Sequence, residues 1–159
     1  MIVTATSATR LVIGVGNRSR GDDGIGPRVV DELKTREAAV STIVCEGDLA
    51  DLALRWKPAD DVVIVDACNT GRPLGTIHRL EPGQLQSRGS WSTHGVGIAE
   101  AVELARLLDR LPQSLHVIGI EARNFDYGPM SAEVEDAIPS IVDELVAQSF
   151  RVQSPASGR

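Results

Sequence analysis

Leu11-Val-Ile-Gly-Val-Gly-Asn-Arg-Ser-Arg-Gly-Asp-Asp-Gly-Ile-Gly-Pro27 decides how this chain is read, because an apolar run enters a glycine turn, passes two adjacent acids and reaches a helix start. Apolar residues running into Gly14-Val-Gly16 carry the signature of a central parallel strand. Pro27 suits the first helical position, where its missing N–H costs nothing. Asp22 and Asp23 therefore fall in a strand-to-helix crossover. Open α/β sheets bind their ligands at such crossovers, at the carboxyl ends of the strands.

Outward from this stretch, apolar runs alternate with helical stripes at short spacing, the sign of βαβ units and a mainly parallel sheet. Strands are expected over 10–15, 40–45, 61–66, 75–81 and 114–121, the fourth an edge or antiparallel strand because Gly71, Pro73, Pro82 and Gly83 bracket it. The helix after the first strand carries Ile25, Val29, Val30 and Leu33 on one face. A short helix places Leu49, Leu52, Ala53 and Trp56 together and stops at Pro58. A third begins near Gly95 with Ile98, Ala101, Val102, Ala105 and Leu108 in a stripe, and the last spans 131–150, kinked or divided by Pro139. The expected fold is a three-layer α/β sandwich, a twisted, mostly parallel five-stranded sheet with helices on both faces. It forms one domain over residues 10–150, with 1–9 and 151–159 as flexible termini.

Length and composition narrow the function. A chain of 159 residues buries about 70% of its unfolded surface as a single domain, without a disulfide or structural metal. Cys45 and Cys68 each end an apolar run and read as small buried hydrophobes of a reducing compartment, neither a bridge nor a zinc site. No stretch approaches the roughly 18 apolar residues of a membrane span, and residues 1–9 lack the basic start of a signal peptide, so a cytoplasmic protein is expected. A net charge of −6 and 3% aromatic residues argue against a grip on nucleic acid.

Three polar positions converge on one edge of such a sheet: the Asp22/Asp23 pair, Asp66 ending the third strand, and His94 before a helix. Two carboxylates and an imidazole suit a divalent transition metal with a position left open. Each also has a plain structural reading. Asp22 and Asp23 sit near a helix N-terminus, where a negative charge gains about 0.3–1 kcal/mol. His94 reads equally as a loop histidine. Asp66 is the sharpest of the three, since a carboxylate after Val-Val-Ile-Val is costly to bury without a partner or a site. His78 and His116 lie inside strands and read as structural. Ser19 stands where the third glycine of a dinucleotide-binding turn belongs, which weakens a nucleotide or small-ligand-binding reading.

Gly14-Val-Gly-Asn17 followed after four residues by Asp22-Asp-Gly-Ile-Gly26 resembles the opening motif of the hydrogenase maturation proteases. The likeness continues through Val63-Ile-Val-Asp66-Ala67, Ser92-Thr-His94-Gly-Val-Gly-Ile98, Gly119-Ile-Glu-Ala122 and Tyr127-Gly-Pro-Met-Ser131, and so covers residues 10–148. Where that family often has Asp-Gly-Gly-Thr after its second strand, this chain has Glu46-Gly-Asp-Leu49.

The resemblance implies a five-stranded sheet between helices. It implies an endopeptidase that removes the C-terminal extension of a nickel-iron hydrogenase large-subunit precursor after nickel insertion. Asp23, Asp66 and His94 would contact the nickel that the precursor supplies, with zinc or cadmium as surrogates. Catalysis of an aspartyl type would fall to Asp22, Asp23 and Asp66, either through metal polarisation of the scissile carbonyl or with Asp22 or Glu46 as general base. No G-x-S-x-G elbow is present, and neither cysteine adjoins a histidine. A non-proteolytic maturation adaptor that retains the metal pocket is the remaining alternative.

Overall fold

The computed structural model describes residues 10–47, 49, 52–58, 60–85 and 95–151; of the proposed flexible termini only Arg151 is described, and it closes the last helix. Strands β1 (Arg10–Val15), β2 (Ser41–Cys45), β3 (Asp61–Cys68), β4 (Ile77–Leu80) and β5 (Ser114–Glu121) form one sheet in the order β2-β1-β3-β5-β4. The first four strands of that order run parallel, and β4 adds antiparallel to β5 at the edge. The helices are α1 (Ile25–Thr35), α2 (Gly95–Leu107), α3 (Ala132–Glu135) and α4 (Ile138–Arg151).

Strand alternation divides the interior into two cores. Leu11, Ile13, Val15, Val62 and Ile64 face α2, together with Leu52 and Ala53 of a short 3-10 turn and with Trp56 just after it. Val12, Val63 and Val65 face α1 and α4. The sheet is thus the middle of three layers, as expected. Every residue of β3 is buried, as befits a central strand covered on both faces. Trp56, with no exposed surface, donates its indole N–H to the Arg110 carbonyl at 2.8 Å, so its one polar group is satisfied.

Two details depart from the sequence expectation and a third follows it. β3 runs two residues further, through Ala67 and Cys68, because these pair with Ile120 and Glu121 of an equally long β5. Leu108 is half exposed, since α2 ends at Leu107 and Asp109 takes a left-handed turn at φ 55°. The last helical stretch is divided in two, as the sequence predicts, with Pro139 in the first turn of α4 where the missing N–H is harmless.

The turn between β1 and α1 is closely packed against the strand ends. A Cβ on Gly26 would stand 2.5 Å from the carbonyl oxygens of both Val15 and Val65, so α1 starts directly over the ends of two parallel strands. Gly16, at φ 136°, lets the chain reverse against the Asp23 carbonyl, 1.9 Å from where its Cβ would be. Gly26→Ala is therefore expected to destabilise the protein by about 2–3 kcal/mol in denaturant unfolding, because neither carbonyl can retreat without breaking sheet register.

Candidate functional site

Five acidic side chains are buried among the described residues: Asp22, Asp23, Asp61, Asp66 and Glu121. Asp61, at the amino end of β3, is neutralised by Arg10, whose Nε lies 2.8 Å from Oδ2, and also accepts a hydrogen bond from Ser114. The other four gather at or just beyond the carboxyl ends of β1, β3 and β5. Neither Asp22 nor Glu121 is paired with a lysine or arginine among the described residues.

Asp22 and Asp23 lie in a 3-10 turn, Gly21–Gly24, that α1 continues. The two adjacent acids meet different surroundings. Asp22 has no exposed surface and accepts four hydrogen bonds, from the Ser131 amide (2.7 Å), the Ser131 hydroxyl (3.0 Å), the Asn124 amide (3.0 Å) and the Arg123 amide (3.1 Å). Burial opposes its charge, but these bonds from Ser131, Asn124 and Arg123 prevail and hold the carboxyl below its ordinary value. Its oxygens are thus turned into the 123–131 loop. Backbone bonds complete this junction, from the Asp22 amide to the Asn124 carbonyl (2.8 Å) and between Gly128 and Ser19 (3.1 Å), while the Arg20 guanidinium lies 5.3 Å over the Tyr127 ring.

Asp23, 5% exposed, accepts the Asn17 amide at 2.9 Å through Oδ2, which fastens it to the glycine turn that follows β1. Asp66 is fully buried on β3, and its Oδ1 accepts the Ala67 amide at 2.8 Å. Since Gly14 pairs with Val65, and Gly26 presses on both Val15 and Val65, the turn bearing Asp23 sits over the strand end that carries Asp66. His94 lies outside the described residues. α2, which follows it, starts at Gly95, and a Cβ on Gly97 would stand 3.1 Å from the side chain of Leu49, just beyond β2. Glu46 is exposed and forms an ion pair with Arg18 at 3.4 Å.

One group escaped the sequence reading. Strand alternation puts Cys68, His78 and Glu121 together on the α2 face of the sheet, the same face as Asp66. Glu121 Oε1 is 2.9 Å from His78 Nε2 and 3.9 Å from Cys68 Sγ, and the carboxylate also accepts the Thr70 amide and hydroxyl. Burial, then the charges of Glu121 and Asp66, push the Cys68 thiol far above its ordinary value, so the cysteine is a neutral thiol here. Both cysteines are buried and neither is in a disulfide. His116, by contrast, is exposed, 3.3 Å from Glu81.

A three-layer α/β sandwich whose buried acids crowd the carboxyl ends of its central strands defines the class: a doubly wound protein with its site at the crest of the sheet. Residues 27–148 match the family model described as hydrogenase maturation protease. The chain belongs to that family, and it is an enzyme, a hydrolase. It is 31% identical over 148 residues to the hydrogenase expression/formation protein HoxM of Cupriavidus necator, a match covering 85% of this chain and 73% of that protein. It is 24% identical over 144 residues to the hydrogenase 3 maturation protease of Escherichia coli K12, covering 86% and 88% respectively. The fold matches the hydrogenase maturating endopeptidase HybD of E. coli with a TM-score of 0.76 at 23% identity, over 91% of this chain and 94% of that one. The family match begins at Pro27, beyond the acid pair, and includes the positions of Asp66 and His94.

Asp22→Asn keeps the shape but leaves donors facing an amide, so a loss of about 2–3 kcal/mol is expected at neutral pH. Because the folded-state pKa lies below the ordinary 3.8, the stabilisation is fully present above that value and is lost as pH falls through the folded pKa. Unfolding of wild type and variant across pH 7 to 2 should therefore show the difference shrinking only at the acid end.

Proposed function

We propose that the chain removes the C-terminal extension of a nickel-loaded nickel-iron hydrogenase large-subunit precursor, with Asp23, Asp66 and His94 recognising the nickel carried by that substrate. The observation that carries this reading is the pair of buried carboxylates, Asp23 and Asp66, at the ends of adjacent parallel strands in a chain of this family. Two carboxylates and an imidazole suit a borderline divalent ion such as nickel, and also zinc or cadmium as surrogates. The excess of buried negative charge at the same edge favours approach of a cation.

In this reading the precursor docks productively only when its metal is in place, so metal recognition acts as a checkpoint before cleavage. Asp23 and Asp66 contribute oxygen ligands held by the Asn17 and Ala67 amides, which limit their rotation. Bound nickel would polarise the scissile carbonyl or a water molecule. The saturated hydrogen bonding of Asp22 favours a role for it in holding the 123–131 loop beside the site, and leaves Glu46, exposed and ion-paired with Arg18, as the proton acceptor of this reading.

Incubating the purified chain with nickel-loaded and nickel-free precursor, and detecting the released peptide by mass spectrometry, tests this. Cleavage of the loaded form alone is expected. Asp66→Asn and His94→Ala should slow release by about 100-fold or more while circular dichroism and Tm stay near wild type. Binding of loaded precursor without cleavage would instead favour the adaptor reading, and equal cleavage of both forms would overturn the checkpoint.

A further inference from the structure

Glu121 ends β5 as Asp66 nears the end of β3, in both cases after a nearly continuous apolar run. It is 1% exposed, and its neighbours are a thiol, an imidazole and the hydroxyl and amide of Thr70. If these groups only exchange hydrogen bonds with His78 neutral, the carboxylate leaves a net negative charge buried close to that of Asp66. A dication bound by one thiolate, one carboxylate and one neutral imidazole leaves none.

The spacing supports that second arrangement. One donor atom each from Cys68, His78 and Glu121 lies within 4.8 Å of the other two. Around a tetrahedral ion with metal–sulfur and metal–nitrogen bonds of about 2.3 and 2.0 Å, neighbouring donors stand about 3.3–3.5 Å apart. The observed 2.9 Å from His78 Nε2 to Glu121 Oε1 and 3.9 Å from Cys68 Sγ to the same oxygen bracket that value. Small side-chain adjustments bring the three to bonding distance. His78, partly exposed on edge strand β4, leaves a way in.

We propose that Cys68, His78 and Glu121 form a resident site for a borderline-soft divalent metal of the zinc type, separate from the nickel-recognising residues Asp23, Asp66 and His94. The Cys68 thiol gives its proton to solvent as sulfur binds the ion. His78 binds through the lone pair of Nε2 and Glu121 through Oε1, leaving a fourth position for water. Thr70 keeps its bonds to the Glu121 carboxylate and orients it. The ion would tie together β3, edge strand β4 and β5 beside Asp66. This assignment departs from the sequence expectation, in which Cys68 was a small hydrophobe and His78 structural.

Cobalt(II) titration of the full chain under reducing, oxygen-free conditions tests the site, because only a thiolate ligand produces a near-ultraviolet sulfur-to-cobalt charge-transfer band. One equivalent should raise the band in wild type, in Cys45→Ala and in the double variant Asp66→Asn/His94→Ala. Cys68→Ser should abolish it, and His78→Ala and Glu121→Gln should each weaken binding by about 10-fold or more. Zinc-edge X-ray absorption of the wild-type chain decides the matter even if a variant fails to fold: one zinc–sulfur distance of about 2.3 Å is expected. Absence of cobalt binding, a band that survives Cys68→Ser, or a zinc shell of nitrogen and oxygen alone would overturn the proposal. Precursor cleavage is read separately, so failure here leaves the protease reading standing, and the reverse holds too.

Discussion

The contact of Gly26 with the carbonyl oxygens of Val15 and Val65 is the constraint on which the rest of the site depends. Those oxygens belong to neighbouring parallel strands, and a Cβ at this position would stand 2.5 Å from each, so only a residue without a side chain can lie across both. The start of α1 is thereby fixed over β1 and β3. The 3-10 turn before it has a single route, along which Asp22 and Asp23 point in different directions. Gly16 completes the arrangement by reversing the chain against Asp23. A small error in this contact would displace Asp23 relative to Asp66, which is why two glycines separated by ten residues matter to chemistry that neither performs.

Electrostatics then distinguish the two ends of the sheet. At the amino end, buried Asp61 has Arg10 beside it, and the pair closes the sheet without residual charge. At the carboxyl end four acids are buried, and amides and hydroxyls supply much of their stabilisation. Hydrogen bonds from neutral donors keep a carboxylate ionised without cancelling its charge. At Asp22 those bonds, from Ser131, Asn124 and Arg123, outweigh the cost of burying the charge and hold the carboxyl below its ordinary value.

Much of this was legible in the sequence because it is local. The apolar run of 61–66, the glycine turn and Pro27 define strand, turn and helix within a few residues, and Asp66 stood out because an acid after Val-Val-Ile-Val must have a reason to be there. Pro139 announced the division between α3 and α4 in the same way. What stayed hidden depends on register and on long-range pairing. The donors to Asp22 lie more than a hundred residues away in a loop whose composition does not announce them. Cys68 faces Glu121 only because β3 extends past Asp66, and His78 joins them only because β4 pairs antiparallel with β5. The argument applied to Asp66 holds equally for Glu121 after Val117-Ile-Gly-Ile120, so a signal for that acid was present, whereas its partners were not readable.

In the proposed function, Asp23, Asp66 and His94 recognise the nickel carried by the precursor. Anomalous diffraction at the nickel edge, from crystals of the chain soaked in a nickel salt, addresses that recognition most directly. A peak is expected within bonding distance of a carboxylate oxygen of Asp23, a carboxylate oxygen of Asp66 and a ring nitrogen of His94. An occupied nickel position elsewhere, with no peak between those three side chains, would contradict it.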